Sequence, residues 1–129
     1  MAEAPQEWFR QAEYDFETAR AMQAAGRHFY AVFFCHLSLE KALKGLYSAR
    51  TGQRPPRTHN LPFLAQQGRV ALPPSRSDSL FELNRASVLT RYPEDLDVLK
   101  KQFDPARTRA IIDQTAETLQ WLRTQLSKQ

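Results

Sequence analysis

HFYAVFFCHLSLEKALKGLYSAR, residues 28–50, decides the fold. Turned at about 100° per residue, its apolar side chains do not keep to one side of a helix. Phe29, Val32, Phe33, Leu39, Leu43 and Tyr47 mark one broad face, while Tyr30, Phe34, Leu37 and Leu46 lie well away from it. A helix that is apolar nearly all round belongs in the middle of a molecule, covered by several neighbours or by a second chain. Yet His36, Glu40 and Lys44 follow one another at four-residue spacing and form a polar ridge on that helix. Burying such a ridge costs several kcal/mol unless its members are paired or open to a wet groove.

The flanking segments read as helices that cover this one. Upstream, residues 4–25 carry Phe9, Ala12, Phe16 and Ala19, with Trp8 and Met22, at helical spacing. Pro5 suits an opening turn and Gly26 a C-terminal cap. So short a connection sends the central helix back antiparallel to the first. Downstream, Thr51-Gly52 ends the central helix, and QRPPRTH (residues 53–59) is a proline-braced loop. Asn60 or Thr58 caps a short helix over 61–67 that Gly68 stops. Residues 75–92 form a longer helix with Leu80, Leu83, Val88 and Leu89 inward, ended by Pro93. Residues 94–103 read as a polar loop. Asp104-Pro105 opens a last helix to about Leu126, with Ile112, Ala116, Leu119, Leu122 and Leu126 on one stripe. The expected fold is all-α: an antiparallel up-and-down bundle of four main helices plus one short helix, in one domain over residues 1–129.

Composition narrows the function classes. With 42% hydrophobic and 25% charged residues, the chain suits one soluble core. No run approaches the roughly 18 apolar residues of a membrane span, and residues 1–10 lack the plan of a signal peptide. A single cysteine, Cys35, excludes an intramolecular disulfide and argues against a cysteine-based zinc site. A cytoplasmic location is the natural expectation. The net charge of +4 permits an anionic partner without requiring one. No phosphate-cradling glycine loop, nucleophile elbow or pair of catalytic carboxylates is present.

Three places carry possible chemistry. The ridge His36-Glu40-Lys44 stacks an imidazole, a carboxylate and an ammonium within i,i+4 pairing distance. It reads either as a satisfied polar stripe near a dimer seam or as the lining of a site for an anionic ligand or RNA backbone. It offers at most two metal ligands, so no metal or other cofactor is expected. Second, Arg54 and His59 make a formal Arg-x4-His match, in which arginine stabilises a scissile phosphate and histidine shuttles a proton. Two prolines and an arginine lie between them, so they do not share a helix face, and His59 reads rather as a local cap or packing residue at the loop end. Third, Arg91-Tyr92-Pro93 closes the fourth helix; Arg91 suits the helix dipole there, and an Arg/Tyr pair also suits phosphate or base contacts. Arg50, Arg54, Arg57, Lys41 and Lys44 make a moderate basic patch at one end of a continuous central helix. Aromatics on two faces of that helix suggest a homodimer.

Taken together, the chain resembles a HEPN domain. The resemblance rests on Trp8, Ala12, Asp15 and Ala19, on Gly26 before Tyr30, and on Glu40-Lys41-Ala42-Leu43-Lys44. It continues through Thr58-His59-Asn60-Leu61 and Arg91-Tyr92-Pro93. It implies a helical bundle, usually dimeric, with a groove for nucleotide or RNA and a minimal nucleotidyltransferase as partner, as in toxin–antitoxin-like pairs. Carried onto this sequence, the groove involves Glu40, Lys41, Lys44, His59, Arg91 and Tyr92. In the ribonuclease-toxin branches an Arg-x4-6-His motif lies on a late helix. Here no histidine follows Arg85 or Arg91, the three being His28, His36 and His59. That departure argues against the metal-independent ribonuclease, whose candidates would be His59, Arg54 and His36. A binding module is the favoured expectation, with a purely structural dimer as the remaining alternative. His36 and Leu37 also stand where the family commonly has glutamines.

Overall fold

The computed structural model describes residues 4–92 and 94–128, and among them it is all-helical. The order is α1 (Pro5–Ala24), α2 (His28–Thr51), α3 (Leu61–Gln67), α4 (Pro74–Arg91), α5 (Leu96–Gln102) and α6 (Pro105–Ser127). Local chemistry sets most boundaries. Proline stands in the first turn of α1, α3, α4 and α6, where its missing N–H costs nothing. The side chains of Asn60 and Asp104 accept from Phe63 N and Arg107 N at the starts of α3 and α6. Gly52 closes α2 in the left-handed region at φ 68°, a conformation that an L side chain adopts at a cost.

α2 lies at the centre, packed against each of the other five helices. This accounts for its all-round apolarity within one chain. Its buried set, Phe29, Val32, Cys35, Leu39, Leu43 and Leu46 among others, covers most of its circumference. α1 makes the most extensive contact. Gly45 sits over Trp8 and Phe9 at one end, and Ser38 Oγ donates to Ala12 O at 2.8 Å further along, so the two helices run antiparallel. Phe9, Ala12, Phe16 and Ala19 form the buried stripe of α1, as their spacing requires. α6 adds Ile112, Leu119 and Leu122 together with the buried threonines Thr108, Thr115 and Thr118; Ala116 and Leu126 are only partly covered.

Two expectations are corrected. Residues 94–103 are not simply a loop: Asp95 accepts from Val98 N, and the short helix α5 follows, anchored by buried Leu99 and Phe103. α4 also faces differently. Leu80 and Leu83 are inward, but Val88 and Leu89 are 55% and 42% exposed. The buried line is Leu80, Leu83, Ala86, Ser87 and Thr90, set at helical spacing, and Leu89 falls about 180° from Leu80 around the axis. Ser87 and Thr90 tolerate burial because their hydroxyls donate to Asn84 O and Ser87 O. Val88 and Leu89, near the end of α4, therefore point outward.

Candidate polar site on the central helix

The polar ridge of α2 is buried and paired. Glu40 is 4% exposed, and a buried carboxylate is stable only with its charge compensated. Both of its oxygens are used. Lys44 Nζ lies 2.9 Å from Oε2, one turn along the same helix. His59 Nδ1, from the loop between α2 and α3, lies 2.8 Å from Oε1. Lys44 Nζ is also 6.0 Å from the centre of the Trp8 ring, at the outer range of a cation–π contact. The loop brings His59 in because Pro55 is buried and because Asn60 and Leu61 fix the start of α3 immediately after it.

His36, one turn before Glu40, behaves differently. It is fully buried, with Nε2 at 3.2 Å from Asn84 Oδ1. The same oxygen accepts the backbone N–H of Leu61 at 3.0 Å. An atom that accepts a backbone N–H must be oxygen, so His36 Nε2 is the donor and its Nδ1 carries the lone pair. That Nδ1 has no hydrogen-bond partner and lies 4.0 Å from Glu40 Oε1. Burial pushes the imidazole from its ordinary 6.5 down to about 4; the Asn84 contact and the Glu40 charge oppose this, and the charges of Arg91 and His59 reinforce it. His36 is thus a neutral, sealed strut rather than an exchangeable proton carrier.

Arg91 reaches the site from the last turn of α4. Its guanidinium carbon lies 4.7 Å from the centre of the Phe33 ring, and Phe33 stands one turn before His36 on α2. Its Nε and Nη2 are buried without a hydrogen-bond partner. Cationic donors in that position are rare, because each forfeits its hydration. Glu40 is thus paired with Lys44 and the exposed imidazole of His59, while Arg91 lies nearer the start of α2, against Phe33 and close enough to His36 for its charge to act there.

The other candidates lie elsewhere. Lys41 is turned about 100° from Glu40 around the helix, and it pairs with Asp15 of α1 at 2.9 Å. Arg50 donates to the backbone oxygen of Arg69 and to Gln125 Oε1, so the basic residues of α2 do not form one patch. Arg54 is exposed on the loop, and Tyr92, at the α4 C-cap, is 75% exposed; Pro93 lies outside the described residues. Asn84 was missed in the sequence. A short amide side chain in mid-helix was the available signal, since such residues favour caps and turns unless they have a partner. Cys35 is buried and its thiol is pushed up to about 12 by that burial, against a weaker opposing hydrogen bond with Thr115, so it adds no nucleophile. Among the described residues no helix is long and apolar enough to cross a membrane.

Comparison with known proteins gives this cluster a context. The family model for the HEPN domain matches residues 5–125. The crystal structure of TT1696 from Thermus thermophilus is similar with a TM-score of 0.80 at 23% identity, covering 93% of this chain and 96% of that one. The crystal structure of ST0689, an archaeal HEPN homologue, is similar with a TM-score of 0.75 at 24% identity, covering 96% and 98%. No curated protein matches the sequence.

Proposed function

The chain belongs to the HEPN domain family, and from that premise we propose that the Glu40-centred cluster binds the phosphate of a nucleotide or of RNA, in a module that turns over no substrate. The observation that carries this is the pair of unmatched cationic donors on Arg91, buried near His36 on the same ridge whose Glu40 and Lys44 already balance each other. An anionic oxygen satisfies them and neutralises the Arg91 charge. Phe33, under the guanidinium, holds its plane in place. In this reading Lys44 and Arg91 bind, His59 stands at the mouth with its Nδ1 proton on Glu40, and Glu40 and Asn84 position them. Lys41 serves the α1–α2 contact instead.

By its family likeness the module is paired with a minimal nucleotidyltransferase subunit in a prokaryotic two-component system of toxin–antitoxin type. Self-association is part of the same reading. Phe81, Val88 and Leu89 on α4, Tyr92 at its C-cap, and Leu96 and Val98 on α5 are exposed apolar side chains within 18 residues of chain, a density that marks an interaction surface.

The test is equilibrium binding of a nucleoside triphosphate and of a short single-stranded RNA to the wild type, Lys44→Ala and Arg91→Ala. Loss of affinity in both variants supports the reading. Multiple-turnover cleavage of the RNA that His59→Ala or His36→Ala abolishes contradicts it, and favours the metal-independent ribonuclease.

A further inference from the structure

The structure gives His59 more than a binding contact needs. A carboxylate only accepts hydrogen bonds, so the ring nitrogen beside Glu40 Oε1, Nδ1, carries the proton. In the neutral ring that leaves the lone pair on Nε2. The carboxylate behind the ring is buried, whereas the imidazole is 63% exposed. Nε2 is therefore the free, nucleophilic end of a ring held in one tautomer. Neither other histidine has this arrangement: His36 is sealed with its Nε2 proton on Asn84, and His28 is half-buried with an unpartnered, buried Nδ1.

We infer that His59 is a phosphoryl-acceptor site, taking the group on Nε2 from a small activated donor, a phosphoramidate or an acyl phosphate. The Nε2 lone pair forms the N–P bond as the bond from phosphorus to the leaving group breaks. The electron pair departs with the leaving group, as ammonia from a nitrogen-protonated phosphoramidate or as a carboxylate from an acyl phosphate. Nothing is oxidised or reduced. The phosphoryl imidazolium keeps its Nδ1 proton, and Glu40 offsets the positive charge that appears on the ring. Glu40 is here a positioning residue. The inference rests on the phosphate-binding reading above, but it adds a covalent step that binding alone does not require.

The test incubates the purified full chain with phosphoramidate and, separately, with acetyl phosphate. Adducts are mapped by mass spectrometry under alkaline conditions that preserve N–P bonds. With at least one donor, His59 is expected to label faster than His28, and Glu40→Gln to slow His59 roughly tenfold while leaving the His28 rate unchanged. Nitrogen NMR of the unmodified wild type reads the His59 tautomer directly, so the inference stays exposed to failure even where Glu40→Gln does not fold. Labelling of neither kind at His59, labelling no faster than at His28, or a proton on Nε2 rather than Nδ1 overturns it. Inorganic phosphate that binds reversibly to a chain forming no adduct also overturns the acceptor role, and leaves the binding reading standing.

Discussion

Nδ1 of His59 and Oε1 of Glu40 lie 2.8 Å apart, joining an exposed loop imidazole to a buried carboxylate on the central helix. The contact spans 19 residues of chain and pins the loop after α2 against the ridge. Because His59 itself is largely exposed, its ring contributes little packing. His59→Ala is expected to cost no more than about 1 kcal/mol in denaturant unfolding, while amide exchange of residues 57–59 speeds up relative to α2. A loss of several kcal/mol would show that the loop is structural rather than a movable wall of the site.

His36 sets an acid limit on stability. Its folded pKa is depressed to about 4 from 6.5, so the unfolded chain binds a proton that the folded chain refuses. Stability contributed by the neutral ring is therefore full above about pH 6.5 and is lost as pH falls toward 4. The loss is on the order of 3 kcal/mol for this group alone. Urea unfolding of the wild type between pH 7 and 4 should show that slope, over and above the carboxylates. His36→Gln should flatten it, since glutamine does not titrate.

Gly45 is needed where α1 crosses α2. A Cβ there would meet the Cβ of Trp8 at 3.0 Å and the Phe9 ring at 3.0 and 3.1 Å. The Trp8 Cβ is fixed to its backbone and cannot swing aside. Overpacking of this kind costs roughly 1–3 kcal/mol, against a helix-propensity gain of about 1 kcal/mol. Gly45→Ala is thus expected to destabilise the chain by about 1 kcal/mol in chemical denaturation, with the Glu40 cluster intact. A stabilised Gly45→Ala would mean the helices separate at little cost.

Cys35 should be chemically silent. Buried on α2 and with its thiol held far above neutrality, it is expected to react with a soluble maleimide at pH 8 only through opening of the fold. The rate should rise in denaturant in parallel with unfolding. Fast labelling under native conditions would contradict the packing of α2 against α6.

The parts of this molecule that were legible in the sequence are those decided locally. The all-round apolarity of residues 28–50 indicated a central helix, and Gly52, Asn60 and Asp104 marked boundaries because capping involves only neighbouring residues. α5 was obscured because its charged residues outweigh the Leu99 and Phe103 anchors and the Asp95 cap. Val88 and Leu89 misled because hydrophobicity alone does not say which face a helix turns inward. At the site, Glu40, Lys44, His59 and Arg91 were each visible as residues, but their meeting was not. It depends on a proline-braced loop, the end of α4 and the middle of α2 arriving together. Asn84 is the clearest case: it bonds both His36 and the start of α3, a role that exists only once three helices are assembled. Lys41 shows the converse, since adjacency to Glu40 in sequence puts it on a different side of the helix, against Asp15.

The central claim is that Arg91 and Lys44 hold a phosphate beside the Glu40 carboxylate, and calorimetric titration with a nucleoside triphosphate tests it most directly. Each charge-assisted hydrogen bond contributes roughly 1.5–3 kcal/mol. The account therefore expects Lys44→Ala and Arg91→Ala each to weaken binding about 10- to 100-fold, and Arg91→Lys, which loses the planar stack on Phe33, to recover only part of it. Lys41→Ala, which breaks the Asp15 pair instead, should leave affinity unchanged. Equal affinities across the wild type, Lys44→Ala and Arg91→Ala, or a loss confined to Lys41→Ala, would contradict it.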